Sequence, residues 1–422
     1  MNRRDLLKYA GAAGAASLLA PKLASNLLAA PAPTSKRRLV MVMAQGGWDT
    51  SYALDPKTPG MVDVPTGTIT RYGASMDIFT DPSRPNVTSF FTKYANRSAV
   101  VRGISVASVA HQECVKRMAT GTRNETNPDM GAIVAHDNGN ELPLPYLILG
   151  DTAFAGQYAV SAGRVGATNQ IIALLDPAQA YPTNGRMPIA TSNTEDAILK
   201  KYADASANRM HATRGANGYN RKRVDDFVES IARGKKLEGV RDGFGNRGRT
   251  LLLDSQVDLA LDALQRGISQ SIMMNTRLAW DTHDNNTDQA GLHETTFAGL
   301  TRLLDGLSAR PGLGAGSTML DDTVVVCFSE FSRTPKLNAN AGKDHWPVTS
   351  AMVMGAGVKG GRSYGASTAG VEPDTVDFHT GARTASGRVC MSSHFVAGVL
   401  KLCGIDPATH IGATEVFDAF VA

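Results

Sequence analysis

Long apolar runs are what this chain of 422 residues has least of. Beyond the amino terminus no eighteen consecutive residues are apolar, which excludes a bilayer-spanning helix from the mature chain. Cysteine is scarce as well: Cys114, Cys327, Cys390 and Cys403 are the only four. None stands at the close spacing of a metal-binding cysteine pair, so a thiolate metal site is excluded. In an exported chain four cysteines could still form disulfides. Cys327 reads as a buried thiol in an apolar strand, and Cys390 with Cys403 is the one pair worth testing. An excess of one charge sign is missing too, with 43 Lys and Arg against 39 Asp and Glu. Residues 1–30 hold Arg3, Arg4, Lys8 and Lys22 against Asp5. About +1 therefore remains on the mature chain, which gives no electrostatic reason for a nucleic-acid partner. There is no internal repeat.

The amino terminus carries an address. Asn2-Arg3-Arg4-Asp5-Leu6-Leu7-Lys8 is a twin-arginine pattern, and the weakly apolar run Tyr9–Ala20 follows it. Lys22 interrupts that run, which is too short to span a bilayer. Residues 1–30 are expected to be a signal peptide cut between Ala24 and Ala32. The expected partner is the twin-arginine export machinery, which moves folded proteins, and the expected location is the periplasm or outside the cell. Roughly 390 residues remain, enough for one large domain or two ordinary ones.

Apolar runs with turn signals predict strands at Arg38–Ala44, Ser98–Ile104, Tyr146–Leu149, Thr323–Phe328 and Ser350–Met354. Pro143 and Pro145 keep the third from pairing before about Tyr146. Helical spacing runs through Val109, Val115 and Met118 to Gly121. It returns at His293–Ala309, where Phe297, Leu300, Leu303, Leu304 and Leu307 share a face. Ser393–Leu402 is a last helix. Strands alternating with helices imply an α/β fold, a three-layer α/β/α arrangement around a mostly parallel sheet. Residues 196–264 differ in texture, charged and helix-favouring between Gly-rich breaks at Gly215–Gly218 and Gly239–Gly248. They read as a helical insertion or outer layer, with Arg221–Arg223 and Lys235-Lys236 on a solvated face.

Polar side chains gather where these strands end, the edge at which open α/β sheets bind ligands. The Thr323–Phe328 run stops at Glu330, Arg333 and then Asp344-His345. Asp49 follows the first strand in Gly46-Gly47-Trp48-Asp49, where it could expose a carboxylate or cap a loop. Asp281 and His283 stand two apart in an extended segment and point the same way, so both can reach one ion. Carboxylate with imidazole suits zinc, manganese or iron. His111 opens the helix after the second strand and could ligate a metal, shuttle a proton, take a phosphoryl group or cap the helix. An arginine fork such as Arg333 can bind phosphate or sulfate in a bidentate manner, or pair with Glu330 or Asp344. The remaining histidines receive no role, although His379 and His394 could reach the same edge.

Together these motifs resemble an uncharacterised bacterial family of twin-arginine-exported proteins. The resemblance rests on Gly46–Asp49, His111–Gly121, Trp280–His283, Glu330–Pro335 and Gly342–Pro347. It spans residue 38 to the carboxyl terminus apart from the helical region, with Ser332 where the family usually has Gly. That family in turn resembles the alkaline phosphatase, sulfatase and phosphoglycerate mutase superfamily. The resemblance implies an alkaline phosphatase-like domain over residues 37–422. It places Asp49 at a metal-binding strand end and His111 at the nucleophile position, nine residues before Thr120. Ser, Thr and Cys are all absent from that position, so a covalent route through their esters does not carry over. Water activated by a bound ion is one substitute, a phosphohistidine at His111 another, and loss of catalysis a third.

The expectation is therefore an exported, metal-dependent hydrolase of phosphate or sulfate esters. Asp49, Asp281, His283, Glu330, Asp344 and His345 would surround one or two divalent ions (zinc, manganese or calcium). His111 would be ligand or nucleophile, and Arg333 would hold an anionic small molecule or polymer. The alternative is a noncatalytic envelope protein that binds or assembles a partner through a degenerate sulfatase-like site.

Overall fold

The computed structural model describes residues 36–58, 60–124, 126–165, 193–213, 218–238 and 251–422. The twin-arginine segment with its cleavage site and most of both Gly-rich breaks lie outside these residues. Eight strands form the central sheet: β1 (Arg38–Met43), β2 (Ser98–Ser105), β3 (Tyr146–Ile148), β4 (Ala162–Arg164), β5 (Ser271–Asn275), β6 (Thr323–Phe328), β7 (Val348–Gly355) and β8 (Arg362–Gly365). Their order is β8-β2-β7-β6-β1-β5-β3-β4. Every pairing is parallel except those of β7, which runs against both β2 and β6.

Strands buried on both faces read as continuous apolar runs, and β1 and β6 show it, with side chains alternating between two cores. Val40, Val42, Val325 and Cys327 pack toward one layer, with Phe90, Val257, Phe297 and Leu300. Its helices are α1 (Pro85–Tyr94), α6 (Leu253–Gln265) and α7 (Gln289–Ser308). Leu39, Met41, Met43, Val324 and Val326 face the other layer, with Val115, Ile133 and Phe395. Its helices are α2 (His111–Thr120), α3 (Met130–Gly139) and α8 (Ser392–Leu402). The three layers are thus helix, sheet, helix.

Within the helical region, α4 (Asn193–Ala212) and α5 (Gly218–Glu238) pack on one another, with Tyr202, Tyr219 and Phe227 exposed. Helix α6 differs. Its Val257, Ala260, Leu261 and Leu264 are buried against the sheet, so this last part of the region is a core helix. All four cysteines are buried free thiols. Cys390 and Cys403, the pair singled out for a disulfide, share one core without bonding.

Topology explains the site. Parallel strands β1, β2, β5 and β6 end on the same edge, with Met43 level with Asn275 and Phe328. Because β7 runs the other way, its beginning lies there too, Val348 opposite Ser105. Side chains just after four strands and just before a fifth therefore converge.

Candidate metal centre

Asp281 is the hub. The loop after β5 leaves its side chain 47 % exposed, and three imidazoles crowd it. Its Oδ1 lies 3.2 Å from His345 Nε2 and 3.2 Å from His283 Nε2, and its Oδ2 lies 3.3 Å from His111 Nε2. Single ligand atoms of His111, Asp281 and His345 all fall within 4.8 Å of one another.

Each ring is held from behind. His111 Nδ1 lies 2.8 Å from Glu330 Oε1, a buried carboxylate that also accepts from Gly46 N at 2.8 Å. His345 Nδ1 donates to the Val109 carbonyl at 2.8 Å, and His283 Nδ1 faces Asp344 Oδ1 at 3.1 Å. With Nδ1–H committed to an acceptor in every case, the Nε2 lone pairs turn inward. His283 Nε2 and His345 Nε2 then stand 2.9 Å apart. Two neutral rings in these tautomers would present lone pairs to each other, so the arrangement calls for a second proton or a cation between them.

Electrostatics follow the contacts. The Glu330 hydrogen bond raises the His111 pKa above its ordinary value, outweighing burial, which lowers it. Burial works to raise the Asp281 pKa, but Arg333, His345 and His111 together hold it at about 2. The His283 hydrogen bond keeps the Asp344 carboxyl below the usual range. One wall is apolar, the Phe331 ring lying 4.8 Å from His111 and 4.4 Å from His345.

The other residues expected at the ion stand elsewhere. Glu330 and Asp344 sit one hydrogen bond outward, each behind an imidazole. Asp49 is 1 % exposed and does not join the cluster. Its Oδ2 meets Lys343 Nζ at 2.6 Å and Asn286 Nδ2 at 2.9 Å. Arg333 was expected to grip an anion, and the structure corrects this. The side chain is fully buried. Its Nε donates to Gly47 O at 2.7 Å, Nη1 to Lys343 O at 3.1 Å, and Nη2 to Gly46 O, Trp280 O and Asp281 Oδ1. The fork is spent on four carbonyls and one carboxylate, so it positions Asp281 and has no face for a ligand. His379 pairs with Asp418, and His394 caps α8 near Phe378. Neither is part of the cluster found among the described residues.

Local sequence explains this packing. Gly47 adopts φ +86°, and a Cβ there would lie 2.3 Å from the Phe331 ring. The Gly342 Cβ would meet the His283 carbonyl at 1.7 Å, so only glycine lets the two loops touch. Ser332 accepts from Thr50 N at 3.1 Å, a tether between the β1 and β6 loops that glycine could not supply.

Three residues carried no signal in the sequence. Lys343 is buried in an otherwise polar loop. Arg277 and Asp151 line a cleft of about 600 Å³ together with Gln45, Gly46, His111 and Asn275. Arg277 adopts φ +55°, rare for a residue with a side chain. Asn275 Oδ1 holds that turn by accepting from Arg277 N at 2.7 Å, and the guanidinium reaches Asp151 at 2.7 and 2.8 Å.

Comparison with known proteins adds the following. Residues 1–20 match the twin-arginine translocation pathway signal sequence, so the protein is exported to the periplasm or secreted. Among the described residues no helix is long and apolar enough to cross a membrane. No curated protein matches the sequence. Several solved structures resemble the chain at low identity. An alkaline phosphatase superfamily protein from Vibrio parahaemolyticus shows 8 % identity and a TM-score of 0.41, over 90 % of this chain and 70 % of that one. A sulfatase from Pseudoalteromonas shows 9 % and 0.40, over 92 % and 72 %. The lipoteichoic acid synthase LtaP from Listeria monocytogenes shows 8 % and 0.38, over 92 % and 76 %. At these values the likeness carries no argument about activity. Residues 36–415 match one family model, and the chain belongs to that family, the proteins of unknown function DUF1501.

Proposed function

We propose that the protein is an exported, metal-dependent hydrolase of phosphate or sulfate esters. The observation that carries this reading is the inward convergence of three Nε2 atoms on one carboxylate, every ring locked through its Nδ1. Asp281, His111, His283 and His345 would hold the ion. Three imidazoles with one carboxylate favour zinc or manganese over calcium, which takes oxygen ligands. When bound, such an ion polarises an ester oxygen and brings the pKa of water near neutrality.

The chain's own residues do the rest. Glu330, Asp344 and the Val109 carbonyl fix the ring orientations, and such outer partners govern metal affinity. Arg333 keeps Asp281 ionised. Phe331 bars water from one side of His111 and His345. Because Nε2 of His111 faces Asp281, we assign that ring as a ligand and not as the group that takes the phosphoryl. Arg277, at the cleft, replaces Arg333 as the guanidinium that receives the anionic group. The test is elemental analysis of protein exported by its own signal and purified without chelator, followed by assay of aryl phosphates and aryl sulfates. A stoichiometric metal with turnover is expected, and absence of any stoichiometric metal rejects the mechanism.

One observation favours a second reading. Among the described residues, the side chains touching Asp281 are imidazoles and a guanidinium, with no hydroxyl or thiol among them. A noncatalytic envelope protein that binds a polyanion or assists assembly would need none. Metal without turnover, together with tight binding to a cell-envelope polyanion, would select it.

A further inference from the structure

Asp49 and Asp281 follow neighbouring strands, yet only one of them stands open to an ion. We infer that the Lys343 ammonium is the built-in second cation of this site, so that the centre takes one divalent ion and Asp49 is not its ligand. The inference rests on the metal-dependent reading above and gives it a stoichiometry.

The Asp49 carboxylate is saturated. Oδ1 accepts from Ser51 N at 3.0 Å and Ser51 Oγ at 2.5 Å, which caps the turn Thr50–Tyr52. Oδ2 accepts from Asn286 Nδ2 at 2.9 Å and Lys343 Nζ at 2.6 Å. Four donors on two oxygens leave no lone pair for an ion. The ammonium cannot easily leave. Lys343 is 0 % exposed and its Nζ lies 5.4 Å from the Tyr52 ring centroid. Its backbone is pinned on both sides, N donating to Thr282 O at 3.1 Å and O accepting from Arg333 at 3.1 Å. An ion at Asp49 would have to expel a buried charge that has no route to water.

Charge agrees. Of the four carboxylates, Asp49 pairs with Lys343 and Asp281 with Arg333, whereas Glu330 and Asp344 pair with the His111 and His283 rings, so the permanent cations among them are two. Four negative charges against two positive leave an excess of two, which one divalent ion neutralises. A second ion would overshoot.

The experiment is metal counting on the full chain, by elemental analysis and by calorimetric titration of zinc into chelator-stripped protein. One ion per chain is expected. Asp49→Asn should keep that count and lose less than about tenfold in affinity, the smallest loss usual for removing a ligand's outer partner. Asp281→Asn should lose the ion. Two ions in the wild type, or a larger loss in Asp49→Asn, overturn this inference and leave the functional reading standing. No ion in the wild type overturns the reading and this inference with it. Should Asp49→Asn not fold, the double variant Asp49→Asn/Lys343→Met removes both charges together. It should also hold one ion, and any other count overturns the inference.

Discussion

The two aspartates at the sheet edge show how one residue type serves two ends. Asp49 sits in the floor, sealed from water, its charge cancelled by an ammonium and its oxygens filled by donors. Asp281 stands at the rim, half exposed, anchored on one side by Arg333 and surrounded on the other by imidazoles. The first arrangement stabilises loop packing, and the second is where we propose the ion binds. What separates them is a lysine on one carboxylate and three inward-facing lone pairs on the other.

The comparison can be broken most severely from the floor. Lys343→Met leaves Asp49 ionised and buried, which should destabilise the chelator-stripped protein by about 3–5 kcal/mol. Chemical denaturation would show this, and the double variant with Asp49→Asn should recover most of the loss. Acid should act on the same region through His293. This ring is buried, donates Nε2–H to Asp49 O at 3.0 Å, and its Nδ1 finds no partner among the described residues. Burial first, and then Arg84, push its pKa down to about 3. Between pH 6.5 and 3 the unfolded chain takes up a proton that the folded ring refuses. Stability therefore falls as pH falls through that window, by about 3 kcal/mol between pH 6.5 and 4. In His293→Gln this part of the slope should vanish from the denaturation midpoints.

The rim should answer to smaller changes. Glu330→Gln loosens the His111 ring and should weaken zinc binding about tenfold or more in titration. Arg277→Gln should leave zinc binding unchanged. It should weaken inorganic phosphate or sulfate binding to the metal-loaded protein about tenfold, as for one charged hydrogen bond. Equal phosphate affinity in Arg277→Gln and wild type would remove Arg277 from the anion site.

Much of the scaffold was legible because β1, β2 and β6 are buried on both faces and so appear as unbroken apolar runs. Strand β5, Ser271-Ile-Met-Met-Asn, is equally buried but short and flanked by polar ends, and it was not singled out. The antiparallel hairpin of Thr68–Tyr72 and Met76–Thr80 pairs outside the main sheet and is exposed in part, so its apolar pattern is diluted. At the site, motif residues from 111, 281–283 and 345 do meet. What the sequence hid was which of them touch and which stand behind. A lysine between Gly342 and Asp344 reads as solvated, and only the loop packing around Thr282 and Asn286 reveals it as buried. Arg333 stands in a motif that reads equally well as an anion clamp, and the carbonyls that consume its donors come from residues far away in sequence. Arg277 has a left-handed backbone with no glycine to announce it.

The antiparallel course of β7 delivers His345 from a strand's beginning, whereas His111 and Asp281 follow strand ends. The cluster therefore needs residues from the first, middle and last parts of the polypeptide at once. No proteolytic fragment that loses one of these parts can reassemble it alone. Metal occupancy, wherever it can be read, would then double as a measure of chain integrity after export.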